Sequence, residues 1–245
     1  MSLTTRFSFL TAAAVAVLVA LPAQAQAQTD ARADVQFPAD VQVPADVQDP
    51  AAPAVSAAVP LAEAVDALPV ADESREGYDR SLFPHWVDAD RDGCNTRAEV
   101  LLEEAVVAPE VGERCRISGG EWSSYYDGET VTEARGLDID HMVPLAEAWD
   151  SGASQWTTAR RRDYANDLGE PVALVAVTAR QNRSKSDKDP SEWMPAAAEV
   201  HCRYAAEWTT VKTRWGLSVD TAERDALLAL AQDCPDEVVE TEPAP

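Results

Sequence analysis

The chain has 245 residues, with 43 acidic against 20 basic side chains and a formal charge of −23 at pH 7. That balance excludes a protein that grips nucleic acid by bulk electrostatic attraction, because phosphate binding rests on lysine and arginine. The length suits one ordinary domain flanked by tails.

At the N-terminus, Arg6 precedes an apolar run from Phe7 to Leu21, followed by the small-residue sites Ala23-Gln24-Ala25 and Ala25-Gln26-Ala27. This is the pattern of an export signal, and the run falls short of the roughly 20 apolar residues a spanning helix needs. Residues 1–27 are therefore expected to be cleaved, leaving a secreted protein with no membrane attachment. From Ala33 the unit ADVQFP recurs as ADVQVP and ADVQDP, and Ala-, Val- and Pro-rich sequence continues to about Asp72. Proline at every sixth position removes backbone donors and favours extended chain, so residues 28–76 read as a disordered spacer. All seven tryptophans lie between Trp86 and Trp215. They place the folded domain at residues 77–234 and leave the acidic residues 235–245 as a disordered tail.

Within the domain, Thr96-Arg97-Ala98-Glu99 ahead of Val100, Leu101, Leu102 and Ala105 forms a capping box that opens a helix. Cys115 to Ser118, Glu121 to Tyr126 and Glu129 to Val131 read as short strands, separated by turns at Gly119-Gly120 and Asp127-Gly128. Leu137 to His141 reads as a strand ending before Pro144, Trp156 to Leu168 as a helix, and Val172 to Val177 as a β-branched strand. Thr178 can cap a short helix carrying Gln181, Asn182 and Lys185. Helices are expected over Ala196 to Trp215 and Asp220 to Asp233, the second with a capping box at Asp220 and Glu223. The fold class is α+β.

Four cysteines, Cys94, Cys115, Cys202 and Cys234, follow the signal. In an oxidising compartment an even count reads as two disulfides. Three connectivities are open, and proximity favours Cys94 with Cys115 and Cys202 with Cys234. A four-cysteine zinc site would need the close C-x2-4-C spacing that no pair shows.

An imidazole base has to be one of the three histidines. His85, beside Trp86, and His201, beside Cys202, lack a neighbouring carboxylate pattern and read as structural. His141 ends a strand directly after Asp140 and three residues after Asp138, an arrangement in which carboxylates hold a hard cation while imidazole takes a proton from water. Some forty residues on, Gln181-Asn182-Arg183-Ser184-Lys185-Ser186-Asp187 adds an amide oxygen for such a cation, and Arg183 and Lys185 to hold phosphate. From Ser151 to Pro190 there are seven bases, among them the run Arg160 to Arg162, against five acids. The stretch is locally positive.

Together, Asp138-Ile139-Asp140-His141-Met142-Val143-Pro144 and Asn182-Arg183-Ser184-Lys185-Ser186-Asp187 resemble the site of the HNH, or ββα-metal, nucleases. The chain looks like the secreted bacterial HNH endonuclease family and the C-terminal nuclease domain of GmrSD-type restriction enzymes. Asp92-Gly93-Cys94-Asn95-Thr96-Arg97, Ala165-Asn166-Asp167-Leu168 and Trp193-Met194-Pro195 add to the likeness, which covers roughly residues 90–234. The resemblance implies a ββα-metal core among helices, with His141 as general base and Asn166 as the residue that positions it. It implies that Asp140 and Asn182, with Asp138 nearby, hold one divalent ion, Mg2+ or alternatively Mn2+, and that the substrate is nucleic acid, DNA before RNA. No protein partner is implied. Where the best-known members carry a metal-binding His on the helix, this chain has Asn182, which favours an oxygen-binding metal over zinc.

A second metal pattern stands apart. Asp88-x-Asp90-x-Asp92-Gly93 with Glu99 at the twelfth position fits a calcium-loop spacing, although Pro84 argues against the helix that should precede it. Two other functions therefore stay open at this stage: a non-catalytic calcium-binding module centred on Asp88 to Glu99, and a phosphoesterase acting on small esters.

Overall fold

The computed structural model describes residues 58–245; the export signal and the hexapeptide repeats lie outside them. In chain order the elements are β1 (Val59–Pro60), α1 (Leu61–Ala67), α2 (Thr96–Glu103), β2 (Glu110–Gly112), β3 (Arg116–Ser118), β4 (Trp122–Ser123) and β5 (Thr130–Val131). There follow β6 (Leu137–His141), α3 (Leu145–Asp150), α4 (Thr158–Tyr164), β7 (Leu174–Thr178), α5 (Ala179–Lys185), α6 (His201–Trp215), α7 (Thr221–Asp233) and β8 (Val238–Val239). The architecture is α+β, with four two-stranded antiparallel sheets among the helices. Disulfides join Cys94 to Cys115 and Cys202 to Cys234, the pairing that proximity favours, and the second ties the start of α6 to the end of α7.

The central sheet pairs β6 with β7, from Leu137 opposite Thr178 to His141 opposite Leu174. Every residue of β7 is buried, because the sheet is covered on both sides. Leu174 and Ala176 meet Leu137, Ile139, Val100, Leu101 and Trp122 in one apolar cluster. Val175 and Val177 join a larger one with Met142, Tyr204, Trp208 and Leu227. The chain leaves β7 directly into α5, and the hydroxyl of Thr178 accepts from Gln181 N to cap it as expected. Asp220 likewise caps α7. The cap of α2 is Asn95, one residue earlier than the sequence pattern indicates, which releases the Thr96 hydroxyl for another contact described below.

Both ends of the domain differ from the expectation. Leu61, Ala64, Val65 and Leu68, inside the presumed spacer, are buried in the main cluster, where α1 packs on α6 and α7. Their i, i+3, i+4, i+7 spacing is the apolar stripe of a helix, set in a composition that otherwise reads as linker. Residues 235–245 are not a free tail either. β8 pairs with β1, Val239 is buried, and Arg214 holds the carbonyl of Glu242. The folded unit thus includes β1 and α1 at one end and β8 at the other. Val65 is fully buried, so Val65→Ala is expected to lower stability by about 2 kcal/mol, through lost transfer energy plus a cavity, while Glu63→Ala on the exposed side changes little. Urea unfolding of the two variants measures the difference.

Candidate active site

His141 ends β6, and its ring is sandwiched between Trp86 and Tyr164, with centroids at 5.6 and 6.4 Å. Its Nε2 lies 3.0 Å from the carbonyl oxygen of Ala165. A carbonyl can only accept, so Nε2 carries the proton and Nδ1 is left as the bare, basic nitrogen. Burial, opposed by the Ala165 bond, pushes the imidazole down to about 3 from the ordinary 6.5. The ring is therefore neutral throughout the physiological range. Since its folded pKa lies below the unfolded one, the stability it contributes is complete above pH 6.5 and is lost as pH falls toward 3. The stability gap between the parental chain and His141→Gln is expected to shrink by about 2 kcal/mol between pH 7 and pH 5, as denaturant titrations at each pH would report.

Asn166 is one residue beyond the carbonyl that holds the histidine, and all its hydrogen-bonding capacity is used. Its Nδ2 donates to Pro84 O at 2.8 Å and Arg162 O at 2.7 Å, and its Oδ1 accepts from Val87 N at 3.0 Å and the Thr96 hydroxyl at 2.8 Å. It thereby joins three segments: the end of α4, the start of α2, and the stretch around Trp86. Trp86 has φ 58°, a left-handed conformation that a bulky residue adopts only where its surroundings enforce it. Here the enforcement places the indole against His141. None of these four bonds goes to the imidazole; Asn166 reaches it through its neighbour Ala165 and the stretch around Trp86.

Asp138 and Asp140, two apart on the strand, share a face by the period of two. The amide Nδ2 of Asn182 on α5 lies 3.1 Å from Asp138 Oδ2. Asp140 is buried, and its Oδ2 accepts from the Tyr126 hydroxyl at 2.7 Å and from Lys185 Nζ at 2.6 Å. Burial drives the Asp140 carboxyl up and the Lys185 ammonium down, each against the pull of the other. Lys185 is wholly buried, also donates to His141 O at 2.9 Å, and cannot reach a phosphate. Its expected role is thus replaced: it is the internal counter-ion of Asp140, and Gln181 and Lys185, one turn apart, form the buried face of α5. Arg183 points the other way and is exposed.

The run Arg160 to Arg162 is likewise occupied within the fold. Arg160 lies over Trp156 and Trp215, Arg161 is buried against the carbonyls of Leu82, Ala153 and Trp156, and Arg162 pairs with Asp163. His85 and His201 bond the backbone at Phe83 O and Pro195 O. Asp88, Asp90 and Asp92 converge in an exposed loop, with carboxylate oxygens within 4.8 Å of one another; Glu99 approaches Asp92 alone, beside the disulfide-bonded Cys94. No α-helix leads directly into that loop, as Pro84 indicates; the 3-10 turn Arg80–Leu82 precedes it.

A cleft of about 380 Å3 opens over this centre, lined by His141, Asp140, Asn182 and Arg183, and by Tyr78 and Arg80 from the segment ahead of Trp86. Tyr78, Arg80, Trp86 and Tyr126 carry no motif in the sequence and reach the site only through the fold. The profile of the GmrSD restriction endonuclease C-terminal domain family matches residues 102–230, more than half of the chain and all of β6, β7 and α5. The chain belongs to that family. An uncharacterized secreted protein of Arthroderma benhamiae is 40% identical over 182 residues, which is 74% of this chain and 87% of that relative. No solved structure matches the chain. Membership of the GmrSD C-terminal domain family makes this a nuclease-type domain, with nucleic acid as the class of substrate. Among the described residues no helix is long and apolar enough to cross a membrane.

Proposed function

We propose that the protein is a secreted, divalent-metal-dependent HNH endonuclease that hydrolyses phosphodiester bonds, with DNA as its substrate, and that the pairing of β6 with β7 followed by α5 is its ββα-metal core. The observation that carries this reading is the placement of His141: Nε2–H is held by Ala165 O, and Nδ1 is left bare at the edge of a cleft that also holds Asp140 and Asn182. A nitrogen so held accepts a proton from an attacking water without first losing one of its own. Asn166 keeps Ala165 and Trp86 in place and is a positioning residue.

Asp138, Asp140 and Asn182 offer only hard oxygen donors, a set that suits Mg2+ or Mn2+ and would hold one such ion. When bound there, the ion supplies positive charge against that developing on the scissile phosphate and the leaving oxygen. Lys185, by neutralising part of Asp140, limits the negative charge of the cluster and fixes its geometry relative to α5. Arg183, exposed on the outer face of α5, contacts the substrate backbone.

The purified chain, incubated with Mg2+ and separately with supercoiled plasmid, single-stranded DNA, RNA and p-nitrophenyl phosphate, distinguishes this reading from its rivals. Cleavage of DNA that EDTA abolishes supports it. Turnover of the small ester alone indicates a phosphoesterase, and no turnover of any substrate leaves a binding module.

A further inference from the structure

We propose that Arg80, together with Arg183 in the lining of the same cleft, holds the phosphates that flank the scissile bond, in the role first expected of Lys185. This inference rests on the nuclease reading of the same cleft. Arg80 opens the short 3-10 turn Arg80–Leu82, which is anchored at its start by Asp79 Oδ1 accepting from Ser81 N at 2.8 Å. Its side chain is exposed and shares the cleft lining with His141, Asp140 and Asn182.

The charges around it leave Arg80 available. Among the described residues, Arg75, Arg162, Arg180, Arg203, Arg214 and Arg224 pair with carboxylates of other segments or neighbours, whereas Arg80 and Arg183 are in no ion pair. Of the acids that line the cleft, Asp140 is paired with Lys185 and Asp187 with Arg75, which also bonds Asp150; Asp138, bonded to Asn182, is left to the metal cluster. The cleft lining thus carries two guanidinium groups free of ion pairs, in a chain whose overall charge repels polyanions. A guanidinium offers a planar fork of donors matched to phosphate oxygens, and two of them in the lining of one cleft with His141 can hold neighbouring phosphates of a strand. The arrangement explains how so acidic a protein can hold a phosphodiester: by a few placed contacts in place of a broad positive surface.

The test measures binding apart from cleavage. Fluorescence anisotropy of a short labelled single-stranded oligonucleotide is followed with Mg2+ on a His141→Ala background, across a series of salt concentrations. Adding Arg80→Ala is expected to raise Kd roughly tenfold and to lower the slope of log K against log salt by about 0.7, the value for one phosphate contact on a single strand. Arg80→Lys should restore part of the affinity, Arg80→Glu should weaken it further, and Arg135→Ala, an exposed arginine outside the cleft, should change neither quantity. In the cleaving protein, Arg80→Ala should act mainly on KM. Equal Kd and equal salt slope for the Arg80→Ala and Arg135→Ala proteins would overturn the proposal, as would absence of any oligonucleotide binding. Unchanged binding in an Arg80 variant of a protein that cleaves DNA sinks only the role of Arg80. Arg80-dependent binding by a protein that never cleaves leaves that role standing and removes the nuclease reading.

Discussion

Replacing Lys185 by Met is expected to cost roughly 3–5 kcal/mol of stability, the usual effect of removing one partner from a buried ion pair. The side chain is fully buried, its ammonium donates to Asp140 at 2.6 Å and to the His141 carbonyl at 2.9 Å, and it lies over the rings of Tyr126 and Trp208. Methionine fills much of the same volume, so packing is nearly kept and the loss isolates the charge. Asp140 would then keep only the Tyr126 hydroxyl as a donor and either stays ionised without its counter-ion or takes up a proton. Adding Asp140→Asn to the Lys185→Met chain should return most of the stability, because the stranded carboxylate is the source of the penalty. Urea titration of the two single variants and the double variant measures this coupling. A Lys185→Met loss below about 1 kcal/mol would mean that the ammonium reaches solvent.

His141→Ala and Asn182→Ala are expected to fail in different ways. Loss of the imidazole removes the proton acceptor while leaving the oxygen donors of Asp138, Asp140 and Asn182 in place, so the cleavage rate should fall by roughly 10²–10⁴ at every Mg2+ concentration. Loss of the Asn182 amide removes its oxygen as a metal donor and the hydrogen bond its Nδ2 gives to Asp138, so the defect should lie in metal affinity and recover in part at high Mg2+ or with Mn2+. The double variant should be less impaired than the two single costs combined, as befits groups acting as one unit. Metal titrations of the cleavage rate read the split directly. Rescue of His141→Ala by excess metal would assign its role to the ion site.

Local sequence patterns anticipated the elements that carry the site. The β-branched run ending in Val177, the Thr178 cap and the strand ending at His141 all follow from short-range rules, and each is found within a few residues of its expected place. The misread positions have a common cause. Lys185 and Arg183 look alike as cations in a polar segment, yet they differ by half a turn on α5, so one is buried under Trp208 and the other faces the cleft. Gln181 and Lys185, four apart, carry that face in the sequence as plainly as Leu61, Ala64, Val65 and Leu68 carry the stripe of α1; polar and linker-like compositions conceal both. Other features depend on tertiary structure alone. The left-handed Trp86, the bonds of Asn166 and the approach of Arg80 arise because the segment from Tyr78 to Val87 crosses close to His141, where β6 ends. No periodicity within that segment encodes where it crosses.

The account rests on His141 acting as a base in a metal-dependent nuclease, and one comparison tests this most directly. Supercoiled plasmid is incubated with equal amounts of the parental and His141→Ala chains, both shown to be folded by their melting curves, in Mg2+ and in EDTA. The parental chain should nick the plasmid in Mg2+ and stop in EDTA, with the His141→Ala chain at least a hundredfold slower, in line with the usual worth of general acid–base catalysis. Equal nicking by both chains, or none by the parental chain at any divalent-ion concentration, would contradict it.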